Sequence, residues 1–173
     1  EITYGDWSSD VCSSDLVHDF DEQQLAKIAA MRAEGVEPYP NGLPVEHSVE
    51  QVLAGDVEAG IEYRIAARVR FKNEMGKAGF LRVQGGGVAK EFLQIYVRKD
   101  NVGEEPFKVF KRLDLGDHVW VRGTLMRTKT GELTLNAAEI RLYSKCIESL
   151  PDKHKGFNDI ELRHRMRYLD LVC

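Results

Sequence analysis

In the segment IEYRIAARVRF the odd positions Ile61, Tyr63, Ile65, Ala67, Val69 and Phe71 are all apolar. Arg64, Arg68 and Arg70, and Lys72 just beyond, fall on the even positions. A period of two over this length is incompatible with a helix, whose apolar positions recur every third or fourth residue. It predicts a long strand with one face in a core and a cationic face turned outward. Any fold for this chain must therefore be built around a sheet whose outer side is basic.

Further strands follow. The turn KNEMGKAG leads into FLRVQ, and the glycine-rich GGGVAK leads into EFLQIYV. Alternation turns Leu81 and Val83 inward, with Phe80, Arg82 and Gln84 outward; Leu93, Ile95 and Val97 point in, with Phe92, Gln94 and Tyr96 out. EPFKVFKRLDLGD reads as a short amphipathic helix burying Phe107, Phe110 and Leu113 and ending near Gly116. HVWVRGTLMR is a fourth strand, and TKTGE a hairpin turn in which Gly131 can take a positive φ. In the fifth strand, LTLNAAEIRLY, the apolar phase changes from odd (Leu133, Leu135) to even (Ile140, Leu142). One extra residue near Ala137–Ala138, a β-bulge, accounts for the change. Three strands, a helix and two strands give the order of an OB-fold, whose outer face and the loops between strands 1–2 and 4–5 bind oligonucleotides. The expected class is therefore mainly β with helices (α+β), a five-stranded OB-fold barrel preceded by an N-terminal helix.

That helix is DFDEQQLAKIAAMRAEG, capped at Asp19, with Leu25, Ile28, Ala29 and Arg32 on one face and Gly35 and Pro38 as stops. SVEQVLAG adds a short capped turn from Ser48. The net charge of −4 conceals an uneven distribution. Residues 60–145 hold 17 Lys/Arg against 10 Asp/Glu, a surplus of seven positive charges, which suits an acidic polymer as partner or simply a solvated basic surface. No run of residues is long and apolar enough for a membrane helix. Cys12, Cys146 and Cys173 show neither disulfide nor metal-ligand spacing and fit a reducing compartment.

The five histidines share no ligand spacing, and G-x-S-x-G, P-loop and G-x-G-x-x-G patterns are absent from the sequence. Nothing reads as an active site. The expected outer face instead combines cations with Phe80, Phe92 and Tyr96 and with the amides Gln84 and Gln94. Cations for phosphates, rings for unstacked bases and amides for base edges are what single-strand binding requires. Phe80 and Phe92 could instead pack beneath the N-terminal helix or another domain.

EGVEPYP, MGKAGF, LQIYV, LDLGDHVWVRGTLMRTKTGELTL and above all LPDKHKGFNDIELRHRMRYLDL closely resemble the front third of the class II lysyl-tRNA synthetases, over roughly residues 20–172. The resemblance implies an anticodon-binding barrel, with Phe80 stacking on the middle anticodon uridine, Gln94 reading that base, Arg68 facing the RNA and Glu132 contacting an anticodon uridine. Arg64, Arg70, Lys72, Lys77, Arg82 and Lys129 are further candidates for phosphate or base contacts. Asn73 departs from the pattern, standing where an arginine would be expected, and the 85–91 turn is longer than usual. The three motifs that hold ATP, Mg2+ and lysine in this family lie beyond RYLDL. This chain alone is accordingly expected to be inactive as an ATP-dependent lysine–tRNA ligase, with no metal site and no cofactor of its own. The implied partners are tRNA(Lys) and a second copy in a cytoplasmic homodimer. The expected divisions are a helical extension at 17–58, the OB-fold domain at 59–146 and a link to a catalytic domain at 147–173. A generic single-strand binder and a dimerisation fragment are the alternatives.

The stretch GDWSSDVCSSDL, residues 5–16, has no base and no period. Back-translated, it resembles a sequencing-library adapter read in frame, so residues 1–16 are expected to be non-native and disordered.

Overall fold

The computed structural model describes residues 22–55, 57, 60–86, 91–147 and 160–168. The proposed 1–16 tail, the Asp19 cap and most of the 147–173 link lie outside them. The described chain runs α1 (Glu22–Ala33), α2 (Val49–Leu53), β1 (Glu62–Met75), β2 (Ala78–Gln84), β3 (Leu93–Arg98), α3 (Lys99–Val102), α4 (Glu104–Arg112), β4 (His118–Arg127), β5 (Leu133–Ser144) and α5 (Ile160–Arg165). The expected strand–helix order is present, with the short α3 added before α4.

The five strands form one sheet in the order β1-β2-β3-β5-β4, and β4 pairs with β1 as well as β5. All pairings are antiparallel except β3 with β5. β1 can serve two neighbours because it is long: residues 62–68 pair with β4 and residues 68–75 with β2. Its turn into β2 needs two residues, and Gly76, at φ 59°, takes the left-handed position there.

Inward alternation builds the core. Ile65, Val69, Leu81, Val83, Leu93, Ile95, Val97, Val119, Val121 and Leu135 are fully buried. Burying each such side chain is worth about 1.5–3 kcal/mol. Phe110 of α4 plugs one end: its ring lies so close to Gly79 that any Cβ there would collide with it. The β5 bulge falls at Ala138, between the pairs Gly123↔Ala137 and Arg122↔Glu139, as the phase change predicted.

Two expectations are corrected. In β1 the register shifts between Val69 and Phe71, so Phe71 turns outward at 40% exposure while Arg70 is buried at 8%. A bulge reverses the side-chain phase of everything after it. In α1 the buried residues are Ile28 and Met31, whereas Leu25, Ala29 and Arg32 are exposed. That helix is held by ion pairs, Lys27 to Asp114 at 2.9 Å and Arg112 to Glu34 at 2.6 Å. The connector after it is pinned to the sheet: Lys145 N donates to Pro38 O (3.2 Å) and Trp120 Nε1 to Pro44 O (2.8 Å).

Beneath the sheet lies a buried charge cluster. Lys145 Nζ, fully buried, donates to Asp114 at 2.6 Å and to Asp117 at 2.7 Å. Asp117 also accepts from Cys146 N (2.8 Å) and Asp114 N (2.8 Å). Burial pushes the Asp114 carboxyl upward, but hydrogen bonds from Lys145 and Lys27 and their positive charges outweigh it, and the net shift is downward. Each charge is paired, which is the condition for keeping it out of water.

Candidate nucleic-acid interface

The cross-strand register sorts the outward side chains of β1, β2, β3 and β5 into rows. One row runs Asn73, Phe80, Tyr96, Asn136; the next runs Phe71, Arg82, Gln94, Thr134. Phe80 and Tyr96 touch with ring centroids 5.0 Å apart. Asn101 Nδ2 donates to Asn136 Oδ1 at the end of that row (3.2 Å). Directly paired strand residues sit about 4.5–5.5 Å apart, which is why these side chains form continuous stripes.

The second row is organised by Glu132, which follows the β4–β5 turn. The turn is tied by Gly131 N to Thr128 O (2.9 Å), Thr128 N to Glu132 O (3.0 Å) and Glu132 N to Thr128 Oγ1 (3.1 Å), with Gly131 at φ 84°. So held, the Glu132 carboxylate reaches over the sheet and accepts from Arg82 Nη2 at 3.2 Å. Gln94, only 9% exposed, lies beneath it. In the amide orientation that satisfies both neighbours, Gln94 Nε2 donates to Glu132 Oε2 at 2.8 Å and its Oε1 accepts from Thr134 Oγ1 at 3.2 Å. Arg82 and Glu132 are about half exposed. An exposed pair of that kind is worth about 0.2–1 kcal/mol, so a ligand that offers each group a new partner can displace it cheaply.

The other candidates are distributed differently. Arg68 sits opposite Gln84 and His118, half-buried, with Nη1 donating to Gly116 O at 3.4 Å. Burial, and then the Arg68 charge, hold the His118 imidazole below its ordinary pKa of 6.5. Lys77 and Lys129 are exposed in the two flanking turns. Arg64 does not share the aromatic face. It pairs with Glu46 at 2.7 Å and Glu62 at 3.6 Å, and Glu62 also takes Arg122, which takes Glu139, which takes Arg141. Arg70 is buried. Lys72 lies on the opposite side of β1 from Phe71, over the Phe110 ring, donating to Lys111 O (2.6 Å) and Leu113 O (3.1 Å). It caps the carboxyl end of α4, where a cation is favoured. Neither Arg70 nor Lys72 is placed for the phosphate contacts the sequence suggested.

One residue that joins this face was missed. Phe71 packs edge-to-face on Phe92, centroids 5.7 Å apart and planes at 88°. An apolar residue on an odd position gave no sign that the phase had already turned over.

Comparison with known proteins supplies the context. Residues 63–143 match a family described as an OB-fold nucleic acid binding domain of tRNA anticodon type. The chain is 43% identical over 158 residues to the lysine–tRNA ligase of Anaeromyxobacter dehalogenans, 40% over 154 residues to that of Listeria monocytogenes and 42% over 165 residues to that of Dechloromonas aromatica. These alignments take in 84–88% of this chain and 30–32% of the relatives, so the chain spans about a third of their length. Among the described residues, no helix is long and apolar enough to cross a membrane. Residues 63–143 thus resemble the OB-fold nucleic acid binding domains, in a chain similar over most of its length to part of the lysine–tRNA ligases.

Proposed function

We propose that the face made by β1, β2, β3 and the β4–β5 turn binds the anticodon loop of tRNA(Lys), as the recognition domain of an ATP-dependent lysine–tRNA ligase. The observation that carries this reading is the Arg82–Glu132–Gln94 cluster set beside the Phe80–Tyr96 pair. A guanidinium donor, a carboxylate acceptor and an amide donor are adjacent there. Uracil presents the complementary acceptor–donor–acceptor edge, whereas cytosine has a donor where uracil has its O4 acceptor and lacks the N3 proton. Phe80 stacks on the middle base, Gln94 reads its edge, Glu132 takes a uridine N3–H and Arg68 faces the RNA backbone. Lys77 and Lys129, exposed in the two flanking turns, take phosphates of the loop in this reading.

In the same reading, residues 17–58 are a helical extension, 59–146 the binding barrel and 147–173 the link to a catalytic domain that supplies the ATP and Mg2+ chemistry. The full-length protein works as a cytoplasmic homodimer.

The test is binding of the chain to an anticodon stem-loop bearing UUU and to the same loop with its middle base changed to C, at two salt concentrations. Preference for UUU that disappears in Phe80→Ala is expected. Equal, salt-sensitive binding of both loops would reduce the claim to a generic single-strand surface, and no binding by folded protein would point to an interaction fragment.

A further inference from the structure

Two amides meet at the far end of the row that holds Phe80 and Tyr96. Asn136 is the outward residue of β5 opposite Tyr96, and Asn101 stands on α3, the short helix that follows β3. Asn101 Nδ2 donates to Asn136 Oδ1 at 3.2 Å. Asn136 is fixed from behind, because its backbone carbonyl lies against Gly123 where a Cβ would collide with it. Asn101 is exposed and Asn136 half-buried. One bond between two amides uses the NH2 of one and the carbonyl of the other. It leaves a carbonyl oxygen and an NH2 group that have no partner among the described residues.

A free acceptor beside a free donor is what recognises the edge of an unpaired base. Asn136 lies two strands from Phe80, about 9.5 Å across the sheet. That is wider than one pyrimidine, and the base on Phe80 turns its edge to Gln94 and Glu132 in the neighbouring row. The amide pair is therefore open to the next nucleotide of the same strand. Its polarity is also less constrained than that of Gln94. Glu132 can only accept, so Gln94 keeps one amide orientation. Among the described residues, Asn101 and Asn136 bond only each other through their side chains. Both can turn over together, keep their bond and exchange the places of free donor and free acceptor. Uracil sets its O4 acceptor beside the N3–H donor, and cytosine sets an N4–H donor beside the N3 acceptor, so either base fits.

We infer that Asn101 and Asn136 form a second base-edge site, which takes the nucleotide adjacent to the one on Phe80 and accepts either pyrimidine there. This rests on the reading of the Phe80 face as the anticodon-loop surface, and the experiment separates the two.

Binding of the whole chain to the UUU stem-loop is measured by fluorescence anisotropy for wild type, Asn101→Ala, Asn136→Ala and Phe80→Ala. Further loops carry cytosine at the middle position, or cytosine or a difluorotolyl nucleotide on one or the other side of it. The difluorotolyl group keeps the shape of uracil but scarcely hydrogen-bonds. On one side, wild type should lose about threefold to tenfold with that group and nothing with cytosine. Asn101→Ala and Asn136→Ala should each weaken binding to the intact loop by a similar factor and add nothing further on that difluorotolyl loop. Thermal melts of each variant check folding, and the wild-type measurements need no substitution in the protein. Full affinity of wild type for both difluorotolyl loops overturns the site, as does rejection of cytosine on the side where the difluorotolyl group weakens binding. An Asn variant whose loss is the same on intact and difluorotolyl loops would make the pair an anchor for α3 and end the inference. In each of those cases, a preference for uracil at the middle position that Phe80→Ala abolishes leaves the anticodon reading standing. If wild type does not distinguish the middle bases, or binds no loop, both readings fail.

Discussion

The two halves of β1 lie beside different strands and differ in the side chains that meet on their outer face. Residues 62–68 run beside β4, and there Arg64, Arg122 and Arg141 are interleaved with Glu46, Glu62 and Glu139 in one chain of ion pairs. Residues 68–75 run beside β2, where the outward side chains are Phe71, Arg82, Phe80 and, across β3, Gln94 and Tyr96. The first half answers its own charge. The second leaves rings, amides and one arginine whose partner, Glu132, comes from a turn. A surplus of positive charge counted along a sequence is thus a poor guide to where an acidic polymer binds; what matters is which arginines have a carboxylate on the neighbouring strand.

The comparison can be broken hardest on the self-paired side. Gly123 faces the β5 bulge, and a Cβ there would overlap the carbonyl oxygen of Asn136 and come within 2.9 Å of its carbon. Backbone cannot give way as a flexible side chain can, so Gly123→Ala is expected to cost more than about 3 kcal/mol. Urea titration would show it, and stability within about 0.5 kcal/mol of wild type would mean the β4–β5 ladder has slack that the structure denies.

Next in size is Phe80→Ala on the binding side. Loss of a base–aromatic stack should cost about 1–3 kcal/mol of RNA affinity while the partly exposed position leaves folding largely intact. An urea midpoint that fell as far as the affinity would make Phe80 a packing residue and erase the distinction between the two sides.

Arg122→Gln sharpens the contrast from the other direction. It removes the link between Glu62 and Glu139, made of one exposed and one part-buried pair worth about 1 kcal/mol or less each, and should not alter the salt dependence of RNA binding. A shallower slope of affinity against salt in this variant would show that the ion-paired side touches phosphates after all.

The smallest effect is a slope. His118 sits at the join of the two halves, opposite Arg68, with its pKa lowered by burial and then by that arginine. The unfolded chain, titrating near 6.5, then binds more protons than the folded one as pH falls through that value, so stability is full above it and declines below. His118→Asn should flatten that part of the pH–stability curve; an unchanged curve would remove His118 from the account.

Alternation within a strand is a local property, and it was legible wherever both phases were visible. Leu133 and Leu135 followed by Ile140 and Leu142 revealed the β5 bulge to within a residue. The outward places of Phe80, Arg82 and Gln84 followed from the same rule. The face of α1 was misjudged because more than one stripe fits its twelve residues, and only packing chose Ile28 and Met31.

What the sequence determined by itself was the sheet, its order of elements, its core and the chemistry of its outer face, because hydrophobic burial with period two admits few other arrangements. Tertiary structure alone decided that Phe71 faces outward, that Arg64 is neutralised and Arg70 buried, that Lys72 caps α4, and that Glu132 reaches Arg82 and Gln94 across some forty or fifty residues of chain. Each of those depends on which strand lies alongside, and pairing is set by register across the sheet, to which a single strand's pattern is blind.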